Sequence, residues 1–220
     1  EGNTGLSLNY VSHKIILGKP ALEGLPASFG TEQECETLEI TCRDSHTGLE
    51  AVLMYTVFED VDVITRSVKV VNASEKTLFL TRVMSACLDM DNRDFEAVTL
   101  HGSWARERHI QTVPVSHAKL SVESVRGESS HQDHPFMALK TKGADDDQGV
   151  YAMNFVYSGN FKVMVQNDQF DQLRMIMGIH PEDFSWKLNP GEAFQAPEVV
   201  MVYSAGGLGT MTRTFHDFYR

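Results

Sequence analysis

The feature that most constrains the fold of this chain is a recurring alternation of apolar and polar residues with a period of two. In TLEITCRD, Leu38, Ile40 and Cys42 alternate with polar residues, and VITRSVKVVN at residues 63–72 repeats the pattern less strictly. Successive side chains of a β-strand point to opposite faces, so this alternation is typical of strands that bury one face. The chain is therefore expected to be built mainly from β-strands.

Further apolar runs extend the pattern along the chain. The runs AVLMYTVFED, VYAMNFVYSGNFKVMVQND, LRMIMGIH and FQAPEVVMVYS are rich in β-formers and Met, which suits strands covered on both faces. Turn signals separate them, among them SHTG, NASEKT, GADDDQG and NPGE. Roughly a dozen or more strands at intervals of about 8–15 residues predict an all-β fold. Two antiparallel sheets packed face to face would bury the alternating faces.

The end of the chain departs from this pattern. In MTRTFHDFYR, Met211, Phe215 and Phe218 recur at helical spacing, and the glycine-rich stretch AGGLG before them is a natural break. We therefore predict one β domain over residues 1–205 and the start of a helical linker over residues 206–220. The chain lacks the alternating strand–helix rhythm of a parallel α/β sheet.

Composition restricts the class of function. Of 220 residues, 42% are hydrophobic, which allows a sizeable core, and the formal net charge is −11. This charge argues against nucleic acid and against an anionic membrane surface as partners, because both attract clustered Lys and Arg. A neutral ligand such as a sugar is compatible with it.

Cysteine usage and the chain ends bear on compartment and completeness. Cys35, Cys42 and Cys87 are odd in number and lack the two-residue gap of a zinc half-site, which predicts free thiols in a reducing compartment. No apolar run reaches the roughly 18 residues of a membrane-spanning helix. The start resembles no signal peptide and lacks an initiator Met, and we expect both ends to be cuts within a longer protein.

The stretch RGESSHQDHPF, residues 126–136, combines residue types used in catalysis. Glu128, Ser129, Ser130 and His131 are consecutive and would supply a nucleophile, a base and a carboxylate. Such groups normally meet through the fold rather than as chain neighbours, and neither serine lies in a G-x-S-x-G turn. Three interpretations stay open: an active site, a loop that contacts a ligand or another domain, and a polar connection held by internal hydrogen bonds.

A second stretch, HGSWARERHI, places Trp104, one of two tryptophans, beside Arg106 and Arg108. Tryptophan next to arginine is typical of interaction surfaces, and an exposed indole also stacks on the apolar face of a pyranose. The alternatives are contact with a partner domain, burial of Trp104 in the core with the arginines paired to local acids, and direct contact with a sugar.

Two further groups of polar residues suit chemistry less well. Glycosidases need two carboxylates about 5–10 Å apart, but the three aspartates at 145–147 lie between glycines, as in a solvated hairpin turn. His131 and His134 have the i, i+3 spacing of metal ligands on a helix, but Pro135 argues against a helix there. The sequence therefore predicts no metal site and no cofactor.

A resemblance to a known family covers nearly the whole chain, from about Tyr10 to Arg220. It rests on the order and spacing of YVSHKIILGKPALEGLPASF, HGSWARERH, RGESSHQDHPFMAL, FVYSGNF and LRMIMGIHPEDFSWKLNPGEAFQAPEVVMVYSAGGLGTMTRTFHDFYR. In these segments the chain resembles the N-terminal domain of family 36 glycoside hydrolases, the α-galactosidases, in their bacterial, cytoplasmic branch.

The resemblance implies a β-supersandwich of two large antiparallel sheets, joined by a helical linker to a catalytic (β/α)8 barrel that is missing from this chain. Such enzymes hydrolyse terminal α-1,6-linked galactose from melibiose, raffinose and related oligosaccharides with retention, which requires a carboxylate nucleophile and a carboxylic acid/base. Both would lie in the barrel, so no catalytic residue is expected in this chain. We also expect a further N-terminal segment of the family, with an Asp-Phe-Arg-like motif, to precede it.

On this basis the domain is expected to be non-catalytic, to pack on its own barrel, and to support a homo-oligomer in the cytoplasm that binds galactosides as the full enzyme. The expected contacts with barrel, neighbouring subunit or sugar are Trp104, Arg106, Arg108, Arg126, Ser129, Ser130 and His131. Two other functions stay open. One is a stand-alone carbohydrate-binding module, and the other is a mutarotase-like enzyme with His131 and Glu128 as general acid and base.

Overall fold

The structure, a computed structural model, describes residues 5–143 and 148–220. Within these ranges the chain forms sixteen strands and one helix. The first eight strands are β1 (Leu8–Leu17), β2 (Cys35–Asp44), β3 (Leu49–Phe58), β4 (Val63–Asn72), β5 (Leu78–Leu80), β6 (Met84–Asp91), β7 (Phe95–Ser103) and β8 (Arg106–Pro114). The others are β9 (Leu120–Ser124), β10 (Phe136–Thr141), β11 (Val150–Val156), β12 (Phe161–Asn167), β13 (Gln172–Ile179), β14 (Trp186–Leu188), β15 (Ala193–Gln195) and β16 (Glu198–Ser204), and the helix is α1 (Gly207–Tyr219).

The strands pair into three antiparallel sheets. Ten form one large sheet in the order β1-β2-β3-β4-β16-β11-β10-β7-β8, with β15 paired to β4. Four form a second sheet in the order β6-β13-β12-β9, and β14 pairs with β5. The predicted all-β class with a C-terminal helix is confirmed, and the layer opposite the large sheet is divided between the two smaller sheets.

The centre of the large sheet is covered on both faces, which explains its continuous apolar runs. Met137 and Leu139 of β10 pack toward the four-stranded sheet, where they meet Phe161 and Met175. Ala138, between them, faces the opposite side and joins the cluster that contacts α1. Period-two alternation therefore places apolar residues in two different cores.

A third cluster packs β14 and β5 on one end of the large sheet. Leu188 and Leu80 of the small sheet contact Val68 and Val70 of β4. This agrees with the alternation in VITRSVKVVN, whose predicted bounds are those of β4.

The buried face of β2 includes polar residues that periodicity alone does not identify. Thr37 is fully buried, whereas Leu38 and Ile40 are only half-buried. The Thr37 hydroxyl lies 2.8 Å from the Thr56 hydroxyl and donates to the Gly18 carbonyl at 2.8 Å. These hydrogen bonds offset the cost of burial, because the segment after β1 covers this face of the sheet.

The helix α1 lies within the predicted linker, residues 206–220, but it begins inside the stretch AGGLG and not after it. It starts at Gly207, inside the predicted glycine-rich break, and ends at Tyr219. Met211 and Phe215 are buried against the large sheet, and Phe218 meets Phe58 edge-on with ring centroids 4.8 Å apart. The predicted helical periodicity is thus confirmed. No helix in the described part of the chain is both long and apolar enough to cross a membrane.

The three cysteines are free thiols, as predicted. Cys35 is buried, Cys42 is half-buried and Cys87 is exposed. Burial raises the pKa of the Cys35 thiol, which makes this residue behave as a small apolar side chain.

Candidate functional site

The structure brings together the two polar stretches identified in the sequence. HGSWARERHI forms the tip of the β7–β8 hairpin, and RGESSHQDHPF connects β9 to β10. Backbone contacts join them: Gly102 N donates to Gln132 O at 2.9 Å, His134 N donates to Leu100 O at 3.1 Å, and His101 forms a β-bridge with Asp133. The second half of the loop thus extends β10 alongside β7. We call the surface made by residues 101–110 and 126–136 the hairpin face.

The hairpin tip presents an exposed tryptophan. Trp104 is 83% exposed, so the alternative that it is buried in the core is wrong. Arg106 and Arg108 are also exposed, and in the described residues neither forms an ion pair. Gly102 is required for the tight turn, because a Cβ there would lie 2.2 Å from the Arg106 carbonyl oxygen. An exposed indole on the same hairpin as two unpaired arginines is typical of an interaction surface.

The loop of RGESSHQDHPF is held by hydrogen bonds to its surroundings. Gly127 N donates to the Asn160 side chain at 2.6 Å, and Ser129 N donates to the Ser158 carbonyl at 2.7 Å. The carbonyl of Glu128 accepts from the Ser124 hydroxyl at 2.6 Å. All three partners lie outside residues 126–136, so these bonds attach the loop to neighbouring segments.

The proposed catalytic side chains of this loop are not joined to one another. The Ser130 hydroxyl accepts from the backbone N–H of Gln132 at 3.1 Å. Among the described residues, no side-chain hydrogen bond links Glu128, Ser129 or Ser130 to His131. The loop therefore lacks the nucleophile–base contact that a serine mechanism requires.

Two arginines shift the pKa values of half-buried residues in the loop. Burial raises the pKa of Asp133, while the nearby charges of Arg126 and His101 oppose that rise. Burial also lowers the pKa of His134, and the positive charge of Arg108 lowers it further. His134 is thus held in its neutral form. The charge of Arg126 lies close enough to lower the pKa of Asp133, and the charge of Arg108 lies close enough to lower the pKa of His134.

A groove with a volume of about 460 Å³ lies between α1 and the hairpin face. We call it the helix groove. Arg108, Ser129 and His134 line it from the hairpin face, and Phe215 and His216 line it from α1. The remaining predicted contact residues do not line this groove: Trp104, Arg106, Arg126, Ser130 and His131.

The Asn154 side chain links α1 to the loop across this groove by hydrogen bonds. The Tyr219 hydroxyl donates to Asn154 Oδ1 at 2.6 Å, and Asn154 Nδ2 donates to the Pro135 carbonyl at 3.1 Å. Burial raises the pKa of the Tyr219 phenol, which keeps the hydroxyl protonated as a donor. Asn154 is not among the residues predicted from the sequence, although a lone amide within the apolar run VYAMNFV was a signal for it.

The other candidate groups do not assemble into a site. His131 is exposed and His134 is half-buried in an irregular segment. In residues 5–143 and 148–220, no group of three or more His, Cys, Asp or Glu is arranged to hold a metal ion. The aspartates at 145–147, predicted to form a hairpin turn, lie outside the described residues.

Comparison with known proteins identifies the family. The model of the glycosyl hydrolase family 36 N-terminal domain matches residues 1–189. The chain belongs to this family. The resemblance seen in its motifs is thereby confirmed.

The relatives are α-galactosidases. Alpha-galactosidase AgaA of Geobacillus stearothermophilus is 49% identical over 100% of this chain and 30% of its own length. Alpha-galactosidase Mel36A of Lactobacillus acidophilus is 44% identical over 99% of this chain and 30% of its own length. The chain therefore spans about 30% of the length of these relatives.

Solved structures agree with the family assignment. A variant of AgaA in complex with raffinose has a TM-score of 0.96 and 48% identity, covering 99% of this chain and 31% of its own. The alpha-galactosidase from Lactobacillus brevis has a TM-score of 0.94 and 36% identity, covering 97% of this chain and 29% of its own. The β architecture described above is thus that of the N-terminal domain in these enzymes.

Proposed function

We propose that this chain is the non-catalytic N-terminal domain of an α-galactosidase that hydrolyses terminal α-1,6-galactosides, such as melibiose and raffinose, with retention. The observation that carries the proposal is the match of the family's N-terminal domain to residues 1–189. Retention requires two carboxyl groups about 5–5.5 Å apart. We place both in the part of the relatives' length that this chain does not span, in a barrel connected through α1.

The hairpin face is proposed to contact that barrel or a neighbouring subunit of a homo-oligomer. In a chain with a net charge of −11, Trp104 and two unpaired arginines form an exposed basic and aromatic patch. Tryptophan and arginine are the residues that most often dominate binding energy at interfaces. Asn154 supports this assignment, because its hydrogen bonds to Tyr219 and to Pro135 fix the position of α1 relative to the loop.

The two competing functions have less support from the site. A mutarotase-like mechanism needs Glu128 and His131 at one concave site. Both side chains are exposed, and neither lines the helix groove. A stand-alone sugar-binding role for Trp104 is also disfavoured, because Trp104 is 83% exposed and does not line the helix groove.

The first experiment compares the 220-residue chain with the longer enzyme that the proposal implies. We expect the longer enzyme to hydrolyse melibiose and a chromogenic α-galactoside, whereas the chain alone is inactive. Calorimetric titration with galactose and melibiose runs alongside, to measure binding in the absence of turnover. Hydrolysis by the chain alone would contradict the proposal and return RGESSHQDHPF to consideration as an active site.

The second experiment tests the hairpin face. In the longer enzyme, Trp104→Ala and Arg126→Ala are expected to weaken assembly or activity about thirtyfold, the effect of removing an interface hot spot. In the 220-residue chain the same changes should leave stability within about 0.5 kcal/mol, since both side chains are exposed. Phe170→Ala is the matched control, because Phe170 is 74% exposed on a turn outside the hairpin face. Unchanged oligomer mass and unchanged kinetics in both variants would refute this role.

A cytoplasmic location is part of the same proposal. Three free thiols, one of them exposed at Cys87, suit a reducing compartment. Recovery of the protein in the soluble cytoplasmic fraction, with its thiols titratable, is the expected result, and recovery from outside the cell would contradict it.

A further inference from the structure

A second groove lies next to the helix groove, and four of its twelve lining residues are aromatic. Its volume is about 690 Å³, within the roughly 300–1,000 Å³ typical of small-ligand clefts. Besides Tyr157, its lining comprises the rings of Phe184, Trp186 and Phe194, the apolar or small residues Ala21, Gly24, Leu25, Ile179 and Ala193, and the polar residues Glu23, Lys69 and Gln195. Tyr157 lines both grooves, so the two are neighbours. We call this one the aromatic groove.

Three of its rings support one another. Trp186 packs on Phe194 with ring centroids 5.1 Å apart, and Phe194 packs on Phe184 at 5.6 Å. Phe194 is buried, whereas Trp186 remains 48% exposed. The buried ring thus holds the indole in place while leaving part of it open to a ligand. Such a preformed aromatic surface loses little side-chain entropy on binding.

The fourth ring is positioned by a glycine of the FVYSGNF motif. A Cβ at Gly159 would lie 2.5 Å from the Tyr157 ring, so a larger residue there would require the ring to move. The Tyr157 hydroxyl has no hydrogen bond in the described part of the chain. It is therefore free to donate to, or accept from, a bound molecule.

The polar side chains of the groove offer both donors and acceptors without net charge. Gln195 Nε2 donates to the carbonyls of Val68 and Ala196, at 3.2 and 3.0 Å, which leaves its Oε1 as an acceptor. Lys69 lies opposite Gln195 in the β4–β15 pairing, and Glu23 lines the groove with the opposite charge. In the described residues neither Lys69 nor Glu23 has an ion-pair partner. The one positive and one negative charge balance, so the groove favours no ionic ligand.

We propose that the aromatic groove binds a neutral hexopyranoside. One face of a pyranose ring carries C–H groups and packs on an indole, while its hydroxyl groups both donate and accept hydrogen bonds. The groove supplies the matching surfaces: the Trp186 ring, the Gln195 acceptor and the Lys69 donor. This goes beyond the proposed function, because the site lies in the non-catalytic domain and needs no hydrolysis. The groove would hold a substrate or product sugar on the N-terminal domain, outside the catalytic barrel.

The chain offers an unusually direct test, because it contains only two tryptophans, Trp104 and Trp186. In Trp104→Phe, all tryptophan fluorescence reports on the aromatic groove. Titration of this variant with melibiose, raffinose and maltose is expected to give a saturable emission shift with a millimolar dissociation constant. Calorimetry of the unsubstituted chain should give the same constant.

Two groove variants and one matched control locate the binding. Trp186→Ala is expected to weaken binding about tenfold or more, the loss of one ring contact. Lys69→Ala changes an exposed side chain, so it should weaken binding while thermal unfolding stays unchanged, which covers the case in which Trp186→Ala fails to fold. Trp104→Ala, at the hairpin tip, is the control and should bind like the unsubstituted chain.

The outcomes separate this inference from the proposed function. Binding of any of these sugars that depends on Trp186 and Lys69 supports the inference that the groove binds sugar. A preference for galactosides over maltose bears only on the proposed function. No saturable response up to about 50 mM sugar, far above the range of weak specific binding, would overturn the inference. So would binding that survives both groove variants, or binding lost in Trp104→Ala. A further outcome is that Trp186 is shielded from solvent in the longer enzyme without sugar, while it stays exposed in the 220-residue chain. That result would show that a protein surface fills the groove and would overturn the inference.

Discussion

The buried ion pair between Lys19 and Glu198 makes a sharp prediction about stability. Lys19 Nζ lies 2.6 Å from Glu198 Oε2, and the two side chains are only 4% and 2% exposed. The other carboxylate oxygen accepts from Ser28 N at 2.9 Å and from Ser28 Oγ at 2.6 Å. The pair thus ties the segment between β1 and β2 to the central strand β16.

Removing one partner leaves the other charge buried without compensation. We expect Lys19→Met or Glu198→Gln to lower the free energy of unfolding by about 3–5 kcal/mol. For a domain of this size, each kcal/mol shifts the melting temperature by roughly 2–4 °C, so Tm should fall by about 6–20 °C. Glu198→Gln is informative because the amide oxygen still accepts from Ser28, so the variant isolates the loss of the negative charge.

The double variant separates the pair from its surroundings. Lys19→Met with Glu198→Gln leaves no buried charge, and we expect it to be more stable than either single variant. Urea unfolding of the four proteins yields the coupling energy. The surface pair of Lys14 and Glu39 is the matched control: Lys14 is 65% exposed, and Lys14→Met should cost no more than about 1 kcal/mol.

Two results would refute this reasoning. One is a loss below about 1 kcal/mol in both single variants, the value of a solvated surface pair. The other is a double variant as unstable as the sum of the single changes, which would mean that the two charges do not interact. If the reasoning holds, sugar binding should also weaken in the single variants, because the tied segment forms one wall of the aromatic groove.

Three further changes test local features. Backbone N–H groups hold the pKa of the Asp44 carboxyl down to about 2. The stabilising effect of Asp44 is therefore present above its ordinary pKa near 3.8 and is lost as pH falls toward 2. In Asp44→Asn, the free energy of unfolding should depend less on pH over that range. Gly102→Ala places a Cβ 2.2 Å from the Arg106 carbonyl oxygen and should lower stability by about 1–3 kcal/mol, with a changed Trp104 emission spectrum. Tyr219→Phe removes the 2.6 Å hydrogen bond to Asn154 and should cost about 1 kcal/mol in urea unfolding.

Each of these changes has a control in the same chain. Asp60→Asn alters an exposed carboxylate and should leave the acid-unfolding profile as it is. Ser103→Ala alters the exposed neighbour of Gly102 and should not disturb the hairpin. Tyr203→Phe removes a hydroxyl that has no hydrogen bond in the described residues, so it should be neutral. A control that behaves like its test variant would contradict the corresponding mechanism.

Local patterns predicted much of the secondary structure because burial acts on each element separately. The alternation in VITRSVKVVN corresponds to β4, and the spacing of Met211 and Phe215 corresponds to the buried face of α1. The start of α1 escaped prediction: Gly207 has a φ of +74°, which glycine adopts readily, and is buried where the helix meets the sheet. Tertiary packing there outweighs the low helix propensity of glycine.

The candidate sites were less accessible to prediction, because they depend on which strands become neighbours. HGSWARERHI and RGESSHQDHPF were each recognised as unusual, but their contact follows from the pairing of β10 with β7. The aromatic groove combines residues near Glu23, Lys69 and Trp186, whose positions in the sequence suggest no relation. Nothing local to Glu198, within an apolar strand, indicates that its partner is Lys19.

The sequence alone determined that this chain is a β domain with a terminal helix, and its motifs placed it in a glycoside hydrolase family. These properties follow from periodicity and from residues adjacent in the chain. The tertiary structure alone decided that Trp104 projects into solvent while Trp186 lines a groove, and that Lys19 and Glu198 form a buried pair. Strand order and sheet packing set the exposure of a side chain and the identity of its distant neighbours, and neither leaves a local signal in the sequence.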